Sequence, residues 1–355
     1  MPLINRCGGG GGTPQLCGQV ENFKVIPGTT ALTAALSWTA PSPDEDNSFV
    51  GARIVRKTGS APTGINDGTV IYEGTALTYT DTGLTAGTTY YYRAFAYNAK
   101  KRYQTAKRTV SLAATTLTVG ASLNDSTWAQ ISAVSAAGYA PLYWAIGDTK
   151  SITLTGAASD TVIWQSTTLD VFIIGFNHNA SVEGSNRTHF HIGKQNGKQI
   201  GLYSSGPLSG NLTLNDVLAV LPTDLKNVLK NTTKYKTASS STVSSYSPSI
   251  TNLGIIEVFG TALEQTVTLL TGKQKQYEYY AAGNSAQHFV NDNQRWSVNQ
   301  STYATGYVRL RDTLYSTMSG FSDQYYDIFL DGTYRITESN SAKTSGYMQA
   351  PIFFV

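Results

Sequence analysis

The chain has little cysteine, little charge and no long hydrophobic run. Only two of its 355 residues are cysteines, Cys7 and Cys17, which excludes a framework of several disulfide bonds. Charged residues make up 14% of the sequence, well below the roughly 25% of ordinary soluble domains, and a net charge of +3 creates no strong field. No stretch approaches the roughly 18 apolar residues of a membrane-spanning helix. We therefore expect neither nucleic-acid binding nor membrane insertion.

Serine, threonine, glycine, asparagine and 22 tyrosines take the place of the missing charges. This composition is typical of extracellular or virion β-proteins, which bind through hydrogen bonds and stacking. The residues from Met1 to Cys7 lack the apolar run of a secretion signal and do not match a lipoprotein cleavage box. Two interpretations remain, a processed chain whose signal was removed or a phage structural protein released by lysis, and Met1 favours the second.

Residues 1 to 18 form a glycine-rich leader that contains both cysteines. A flexible, solvent-exposed leader with two free thiols is one interpretation, and a local disulfide that closes the glycine loop is another. Because glycines let a backbone lie in a narrow groove, we expect the leader to dock on a partner subunit of a virion. The candidate docking residues are Cys7, Gly8, Gly9, Gly10 and Cys17.

Residues 84 to 96 combine a turn signal with strict alternation. Gly87 permits the turn, and the strand that follows places Tyr90, Tyr92, Ala94 and Ala96 on one face. Tyr90 is the expected corner residue, with its ring packed at the strand start and its hydroxyl bonded back to the chain. The segment predicts the tyrosine corner and F strand of a β-sandwich.

The sequence around this corner resembles a fibronectin type III domain. Alternating apolar residues occur from Val20 to Val25 and from Leu32 to Trp38, and Trp38 lies on the second strand. A closing strand runs from Thr105 to Leu112. The resemblance covers residues 19 to 117 and implies an all-β sandwich, a module that serves as spacer, adhesive module or virion decoration alike.

After residue 122 the periodicity changes to a mixture of helices and strands. A helix capped by Asn124 or Asp125 carries Trp128 and Ile131, and Gly138 ends it. The apolar run from Asp170 to Phe176 predicts a buried strand, and Pro222 separates two short helices within Leu214 to Leu229. Further strands are predicted at Leu253 to Gly260, Tyr277 to Tyr280, Tyr307 to Arg311, Ile328 to Ile336 and Pro351 to Val355.

Residues 122 to 355 resemble a domain family that recurs in tailed-phage virion proteins and bacterial surface proteins. The matching motifs are Trp128-Ala-x-Ile131, Tyr143-Trp144-x-Ile146-Gly147-Asp148, Ile173-Ile-Gly-Phe-Asn-His178, Glu257-Val-Phe-Gly260, Tyr277-Glu-Tyr279 and Pro351-Ile-Phe-Phe. The family is similar to C-type-lectin-like folds, which implies an α+β domain. This chain has Val308-Arg-Leu-Arg-Asp312 where the family usually shows Trp-Leu-Arg-Ser-Pro.

The sequence does not indicate an enzyme. Lectin-like formylglycine-generating oxidases need a reactive cysteine pair, and the second domain contains no cysteine. The acidic residues near the carboxyl terminus are interpreted as solvated charges at a strand edge or in a turn rather than as the paired carboxylates of a glycosidase. No Gly-x-Ser-x-Gly nucleophile elbow is present.

Three histidines are candidate ligands of a metal ion. His189-Phe-His191 places two imidazoles on one face of a strand, with His178 nearby in sequence. Two interpretations stay open: hydrogen-bonding histidines of a core or loop, or ligands of a bound metal ion. No other cofactor is expected.

A carbohydrate site would combine aromatic faces with amide and guanidinium donors, because sugar rings stack while their hydroxyls need directional partners. Such residues cluster where lectin-like folds carry variable binding loops. The candidate ligand-binding residues are Trp296, Asn299, Tyr303, Tyr307, Arg309 and Tyr326.

Together these features predict a non-enzymatic bacteriophage virion protein, a tail-fibre or tail-tip component on the particle surface that attaches to a host glycan or protein. A capsid-decorating head protein is one alternative, and a bacterial surface adhesin or carbohydrate-binding module is another. Other virion proteins are expected partners, and a homo-oligomer is expected because symmetric assembly is usual for such parts.

Overall fold

The computed structural model of the chain splits into two compact units, Met1–Thr118 and Val119–Val355. Each unit has its own hydrophobic core. The structure describes residues 17–41, 49–104, 109–113, 116–159, 162–195, 197–202, 213–239, 241–260, 269–286, 289–290, 304–305, 307–314, 324–328, 334–338 and 347–355.

The first unit is an antiparallel β-sandwich. Its described strands are β1 Glu21–Pro27, β2 Ala34–Thr39, β3 Phe49–Thr58, β4 Thr69–Gly74, β5 Thr78–Asp81, β6 Thr89–Asn98 and β7 Thr109–Ala113. One sheet has the order β1-β2-β5 and the other has the order β4-β3-β6-β7. The core takes Leu36 and Trp38 from the first sheet and Ile54 and Tyr92 from the second, so the two sheets pack face to face.

The tyrosine corner is present as predicted. The Thr85 N–H donates to the Tyr90 hydroxyl oxygen at 3.1 Å, and Gly87 has a φ of 74°, a conformation that favours glycine. Tyr90 and Tyr92, together with the alternating alanines that follow them, all lie in the core. The predicted face of β6 and the sandwich are therefore confirmed.

Cys17 does not belong to an exposed leader. It is fully buried in the same core as Val20, and its carbonyl accepts a hydrogen bond from Gln104 Nε2 at 3.0 Å. The interpretation of Cys17 as an exposed thiol of a flexible leader is therefore wrong, because a thiol inside the sandwich core behaves as a small apolar side chain. Its role in docking on a partner stays a prediction. The other docking candidates, Cys7, Gly8, Gly9 and Gly10, lie outside the described residues.

The second unit is built around one central strand. The strands of its main sheet are β8 Thr149–Ser159, β9 Val162–Phe176, β10 Thr188–Gln195, β11 Lys198–Gly201, β14 Ile250–Asn252, β15 Phe289–Val290, β16 Ala304–Thr305 and β21 Pro351–Phe354. The central strand is β10. β9 and β21 pair with its two edges, β8 pairs with β9 and β14 pairs with β21, which gives the antiparallel order β8-β9-β10-β21-β14. The far end of β10 pairs with β11, followed by β15 and β16.

Two smaller sheets and several short helices complete the described part of this unit. The strands are β12 Lys234–Thr237 paired with β13 Val243–Tyr246, and β17 Tyr307–Leu314, β18 Gln324–Ile328, β19 Tyr334–Glu338 and β20 Tyr347–Met348 in the order β19-β18-β17-β20. The helices are α1 Trp128–Ala136, α2 Ala140–Tyr143, α3 Ala180–Glu183, α4 Leu214–Val220, α5 Thr223–Lys226, α6 Ile255–Phe259 and α7 Glu278–Ala281. Among the described residues, none of the helices combines the length and the apolar character that crossing a bilayer requires.

The two faces of the central sheet pack against different partners. Because side chains alternate along a strand, Phe190 points to one face, where it contacts Trp128 of α1 edge to face with ring centroids 5.4 Å apart. His189 points to the other face, where its ring lies 4.9 Å from that of Phe354 and 5.6 Å from that of Tyr277. The histidine face is therefore the face on which α6 and α7 pack.

Two segments predicted as strands are helices, and one cap differs. Residues 253 to 260 contain α6, because the Glu257 carboxylate accepts from the Gly254 N–H at the first turn and Gly260, with φ of 76°, ends the helix. Residues 277 to 280 begin α7. Thr127, rather than Asn124 or Asp125, caps α1 in a capping box.

Candidate functional site: a buried charge cluster

Five side chains from distant parts of the second unit meet on the histidine face of the sheet. We refer to them as the buried charge cluster: Glu183 at the end of α3, Lys234 at the start of β12, Glu257 in α6, Tyr277 before α7, and Arg311 in β17. Their side chains are at most 4% exposed. Isolated buried charges are very costly, so the way in which these groups pair decides whether the core is stable.

Lys234 lies at the centre of the cluster. Its ammonium group donates to Glu183 Oε2 at 2.6 Å, to Glu257 Oε1 at 2.8 Å and to the Tyr277 hydroxyl at 2.8 Å. An ammonium group has three donors, so all of them are used. Nζ also lies 5.2 Å from the ring centroid of Phe354, which closes the site on an apolar side.

Glu257 is held as a carboxylate. Its Oε2 accepts from Arg311 Nη1 at 2.5 Å and from the Gly254 N–H at 3.0 Å. Burial alone would raise the pKa of Glu257, but Arg311 and Lys234 outweigh it and hold that pKa well below its usual range. Glu257 therefore stays ionised and pairs with both cations.

Arg311 and Asp312 anchor β17 to this core. Arg311 also donates through Nη1 to the Asn252 carbonyl at 2.9 Å and through Nε to the Tyr235 carbonyl at 3.1 Å. Asp312 is fully buried, accepts from the Ile255 N–H at 2.8 Å, and has a pKa raised by burial. The pair thus ties one strand to α6 and β12.

Tyr277 connects Lys234 to His189. Its hydroxyl lies 2.9 Å from His189 Nδ1 and accepts from Lys234, so the tyrosine proton is donated to Nδ1. Burial, and then the nearby Lys234 charge, lower the pKa of His189 well below its ordinary value. His189 is therefore a neutral imidazole that carries its proton on Nε2.

Glu183 differs from Glu257 in having an oxygen that is not held. Among the described residues, neither Glu183 Oε1 nor His189 Nε2 has a hydrogen-bond partner, although both atoms are buried. Burial raises the pKa of Glu183, against the opposing effect of Lys234. The cluster therefore contains one carboxyl group whose pKa is lowered, Glu257, and one whose pKa is raised, Glu183.

The three histidines of the predicted metal site are buried and hydrogen-bonded. The rings of His178 and His189 lie 5.8 Å apart, and His178 Nε2 lies 2.9 Å from the Lys275 carbonyl. His191 contacts Tyr280 instead, with 3.0 Å between Nδ1 and the hydroxyl oxygen. Within the described ranges, no group of three or more His, Cys, Asp or Glu side chains is arranged to hold a metal ion. The contacts match the hydrogen-bonding interpretation of these residues.

The structure brings three of the six aromatic and polar candidates onto neighbouring strands. Tyr307 and Arg309 belong to β17 and Tyr326 to β18, and Arg309 is paired with Asp327, the residue that follows Tyr326. Trp296, Asn299 and Tyr303 lie outside the described residues. The ligand-binding site stays a prediction.

Sequence reasoning missed the buried charge cluster. Its two glutamates, its lysine and its arginine are spread over more than a hundred positions, and charged residues are rarely fully buried unless they are paired. One signal was available, since Arg311 and Asp312 lie in the segment from Val308 to Asp312, which differs from the motif of the domain family that the sequence resembles. The long separations give no local indication that these charges meet.

The geometry of the first unit defines its class, a fibronectin type III-like sandwich with a tyrosine corner and, among its described residues, seven strands. No family model matches the chain, and the search of curated proteins found no match. Among solved structures, a fibronectin type III domain from human KIAA0970 protein is similar, with 17% identity over 30% of this chain and 85% of that chain and a TM-score of 0.23. The FN5 domain of Drosophila Lar is similar with 18% identity, 27% and 97% coverage and a TM-score of 0.19. The class of the first unit therefore rests on its own strand order and its corner.

Proposed function

We propose that the chain is a non-catalytic structural and recognition protein of a bacteriophage particle. In this proposal the fibronectin-like unit is a spacer, and the second unit is a C-type-lectin-like scaffold that attaches to a host-surface glycan. The proposal joins the sandwich of the first unit to the phage and lectin-like resemblance of the second. A tail-fibre or tail-tip location is proposed because these parts of a phage particle attach to the host surface.

One observation carries the proposal: the charged side chains that meet in the second unit are sealed inside it. Lys234, Glu257 and Arg311 are at most 4% exposed, and they tie β12, α6 and β17 together. A catalytic group must reach its substrate, whereas among the described residues these groups contact one another, neighbouring buried side chains and backbone groups of the same unit. The arrangement supports a rigid scaffold that presents its binding residues elsewhere, which suits a protein that holds a surface under load.

Binding is assigned to the segment that carries Tyr307, Arg309 and Tyr326. A guanidinium group and aromatic rings suit a sugar, because its apolar face stacks while its hydroxyls accept hydrogen bonds. The strand pairing of β17 with β18 keeps these positions on a fixed backbone. A pre-organised backbone lowers the entropy cost of binding.

A glycan-binding measurement with the full chain tests this function. We expect the chain to bind at least one class of bacterial surface polysaccharide without shortening it, and Arg309→Ala to weaken that binding about tenfold or more. Arg102→Ala, an exposed arginine of the first unit, is the matched control and leaves binding unchanged. Absence of binding to every polysaccharide, or cleavage of one, contradicts the proposal.

Immunogold labelling of intact particles tests the location. Label at the tail tip supports attachment. Label over the head contradicts the tail location and indicates capsid decoration, and particles without label contradict both.

A further inference from the structure

Lys234 and Glu183 hold an amine nitrogen and a carboxyl group in direct contact, which is the arrangement that formation of an amide bond requires. Lys234 Nζ lies 2.6 Å from Glu183 Oε2, and the two side chains are each 1% exposed. The rings of Tyr277 and Phe354 lie close to the ammonium group. Such a site holds a lysine and a glutamate in contact while excluding the water that would hydrolyse a product.

We propose that the second unit forms an internal isopeptide bond between Lys234 Nζ and Glu183 Cδ. This inference goes beyond attachment and spacing, because it assigns an autocatalytic covalent modification to the core of the unit. It needs no co-reactant, and its only by-product is water.

Glu183, and not Glu257, is the acyl donor. Both Glu257 oxygens are held, Oε1 by Lys234 and Oε2 by Arg311, which stabilises the resonance of an ionised carboxylate and makes its carbon a poor electrophile. Glu183 Oε1 has no hydrogen-bond partner among the described residues, so Lys234, through Oε2, is the one cation that holds this carboxyl group there, and its carbon keeps more of the electrophilic character of an acid. Burial favours the protonated form of Glu183 in addition.

The reaction starts by proton transfer within the ion pair. One proton passes from Lys234 Nζ to Glu183 Oε2, which leaves a neutral amine beside a neutral carboxylic acid. The nitrogen lone pair then forms a bond to Cδ, and the electrons of the carbonyl π bond move onto Oε1. The product of this step is a tetrahedral adduct with a positive nitrogen and a negative oxygen.

Tyr277 and His189 complete the reaction by moving a proton from the nitrogen of the adduct to Glu183 Oε2. The positive nitrogen passes a proton to the Tyr277 hydroxyl, 2.8 Å away, as that hydroxyl gives its own proton to His189 Nδ1 at 2.9 Å. His189 Nδ1 lies 3.7 Å from Glu183 Oε2, to which it returns the proton. The carbonyl re-forms, the C–O bond to Oε2 breaks, and Oε2 leaves as water.

The surroundings favour the amide over the ion pair. A buried ion pair pays a large desolvation penalty, and the amide that replaces it is neutral. The released water gains the freedom of the bulk solvent. Arg311 and Glu257 remain as a separate ion pair, so no uncompensated charge is left in the core.

The intact mass of the full chain, measured under denaturing conditions after any removal of Met1 is accounted for, tests the proposal. We expect a mass lower than that of the sequence by one water molecule. Trypsin should then fail to cleave after Lys234 and should yield a branched peptide that joins residue 234 to residue 183. A chain with the full sequence mass overturns the proposal, and this result does not depend on any variant folding.

Variants locate the bond and its proton path. Lys234→Met should restore the full mass, whereas Lys236→Met, an exposed lysine on the same strand, should keep the deficit. Tyr277→Phe should leave a fraction of the chain without the bond, because the relay is interrupted. A deficit that maps to an Asp-Gly pair, Asp67-Gly68 or Asp331-Gly332, is a succinimide and overturns the proposal.

Discussion

Glu183 and Glu257 carry the same carboxyl group and contact the same ammonium group, yet their surroundings shift their pKa values in opposite directions. Glu257 faces a second cation, Arg311, and its pKa falls. Glu183 pairs with Lys234 but not with Arg311, and the cost of burying its charge raises its pKa. The chemistry of each residue in this cluster is therefore set by its neighbours and not by its type.

His189 should make the second unit less stable as pH falls. Burial lowers its pKa in the folded chain, so below about pH 6.5 the unfolded chain binds more protons than the folded chain. The free energy of unfolding then falls with decreasing pH, by at most about 1.4 kcal/mol per unit for this one group. Urea unfolding of the full chain between about pH 7 and about pH 5 measures the slope.

The matched variant is His189→Asn, whose amide can still accept from the Tyr277 hydroxyl. The side chains that face His189 with charged or titratable groups are Lys234, Glu183, Glu257, His178 and Arg187, and none of them is replaced in the variant. Where Lys234 and Glu183 are joined as an amide, neither carries a charge, so the comparison is made on chains of the same measured mass. We expect a flatter dependence on pH in His189→Asn than in the unaltered chain. Equal slopes would show that this histidine does not titrate differently on folding.

At the scale of elements, short helices replace two predicted strands because their ends are specified by contacts that local alternation does not reveal. Residues 253 to 260 are rich in residues that suit a strand, but Glu257 accepts from the Gly254 N–H and the Asp312 carboxylate accepts from the next N–H. Both contacts satisfy free donors of a helix start. One of them comes from β17, so tertiary structure overrides β-propensity here.

Gly254→Ala should destabilise the second unit by about 1–3 kcal/mol through overpacking. A methyl group there would collide with Gln274 Oε1 and lie 2.7 Å from Arg311 Nη2, which would push the guanidinium group away from Glu257. Gly254 has a φ of −93°, so backbone strain plays no part. Urea unfolding followed by tryptophan fluorescence measures the loss.

Gly64→Ala is the control for this substitution, because no atom lies within 4 Å of the methyl group that it adds. Its effect should stay within about 0.5 kcal/mol. If Gly254→Ala is equally neutral, the close packing around Arg311 does not constrain the unit.

At the scale of the whole molecule, the two cores are drawn from separate parts of the chain. The first takes residues from 17 to 112, and the second takes residues from 172 to 354. Because each core is formed by residues of one unit, we expect the two units to unfold as separate cooperative domains.

Calorimetry of the full chain should show two unfolding transitions. Leu36→Ala, in the first core, should lower the temperature of one transition, and Ile174→Ala, in the second core, should lower the temperature of the other. Each substitution should reduce the free energy of unfolding of its own unit by about 2–5 kcal/mol. Leu36 is 2% exposed and Ile174 is fully buried, so each serves as the control of the other. A single transition that responds to both substitutions would contradict the division into two units.

Much of the fold was predictable from local pattern. Alternation predicted β6 with its core face of Tyr90 and Tyr92, the apolar run predicted the buried end of β9, and Pro222 correctly separated α4 from α5. These features depend on neighbours within a few positions, where side-chain period and turn chemistry act directly. The candidate site was predictable only in part, since the histidines were identified but their hydrogen-bond partners were not.

The sequence by itself determined the sandwich of the first unit, its tyrosine corner and the buried strands of the second unit, because periodic apolar residues and turn residues specify such elements locally. Only the tertiary structure decided that Cys17 is a core residue and that Lys234 meets Glu183, Glu257 and Tyr277. Those contacts join residues 23 to 51 positions apart. Burial makes them strong, and burial is a property of the folded chain rather than of any segment.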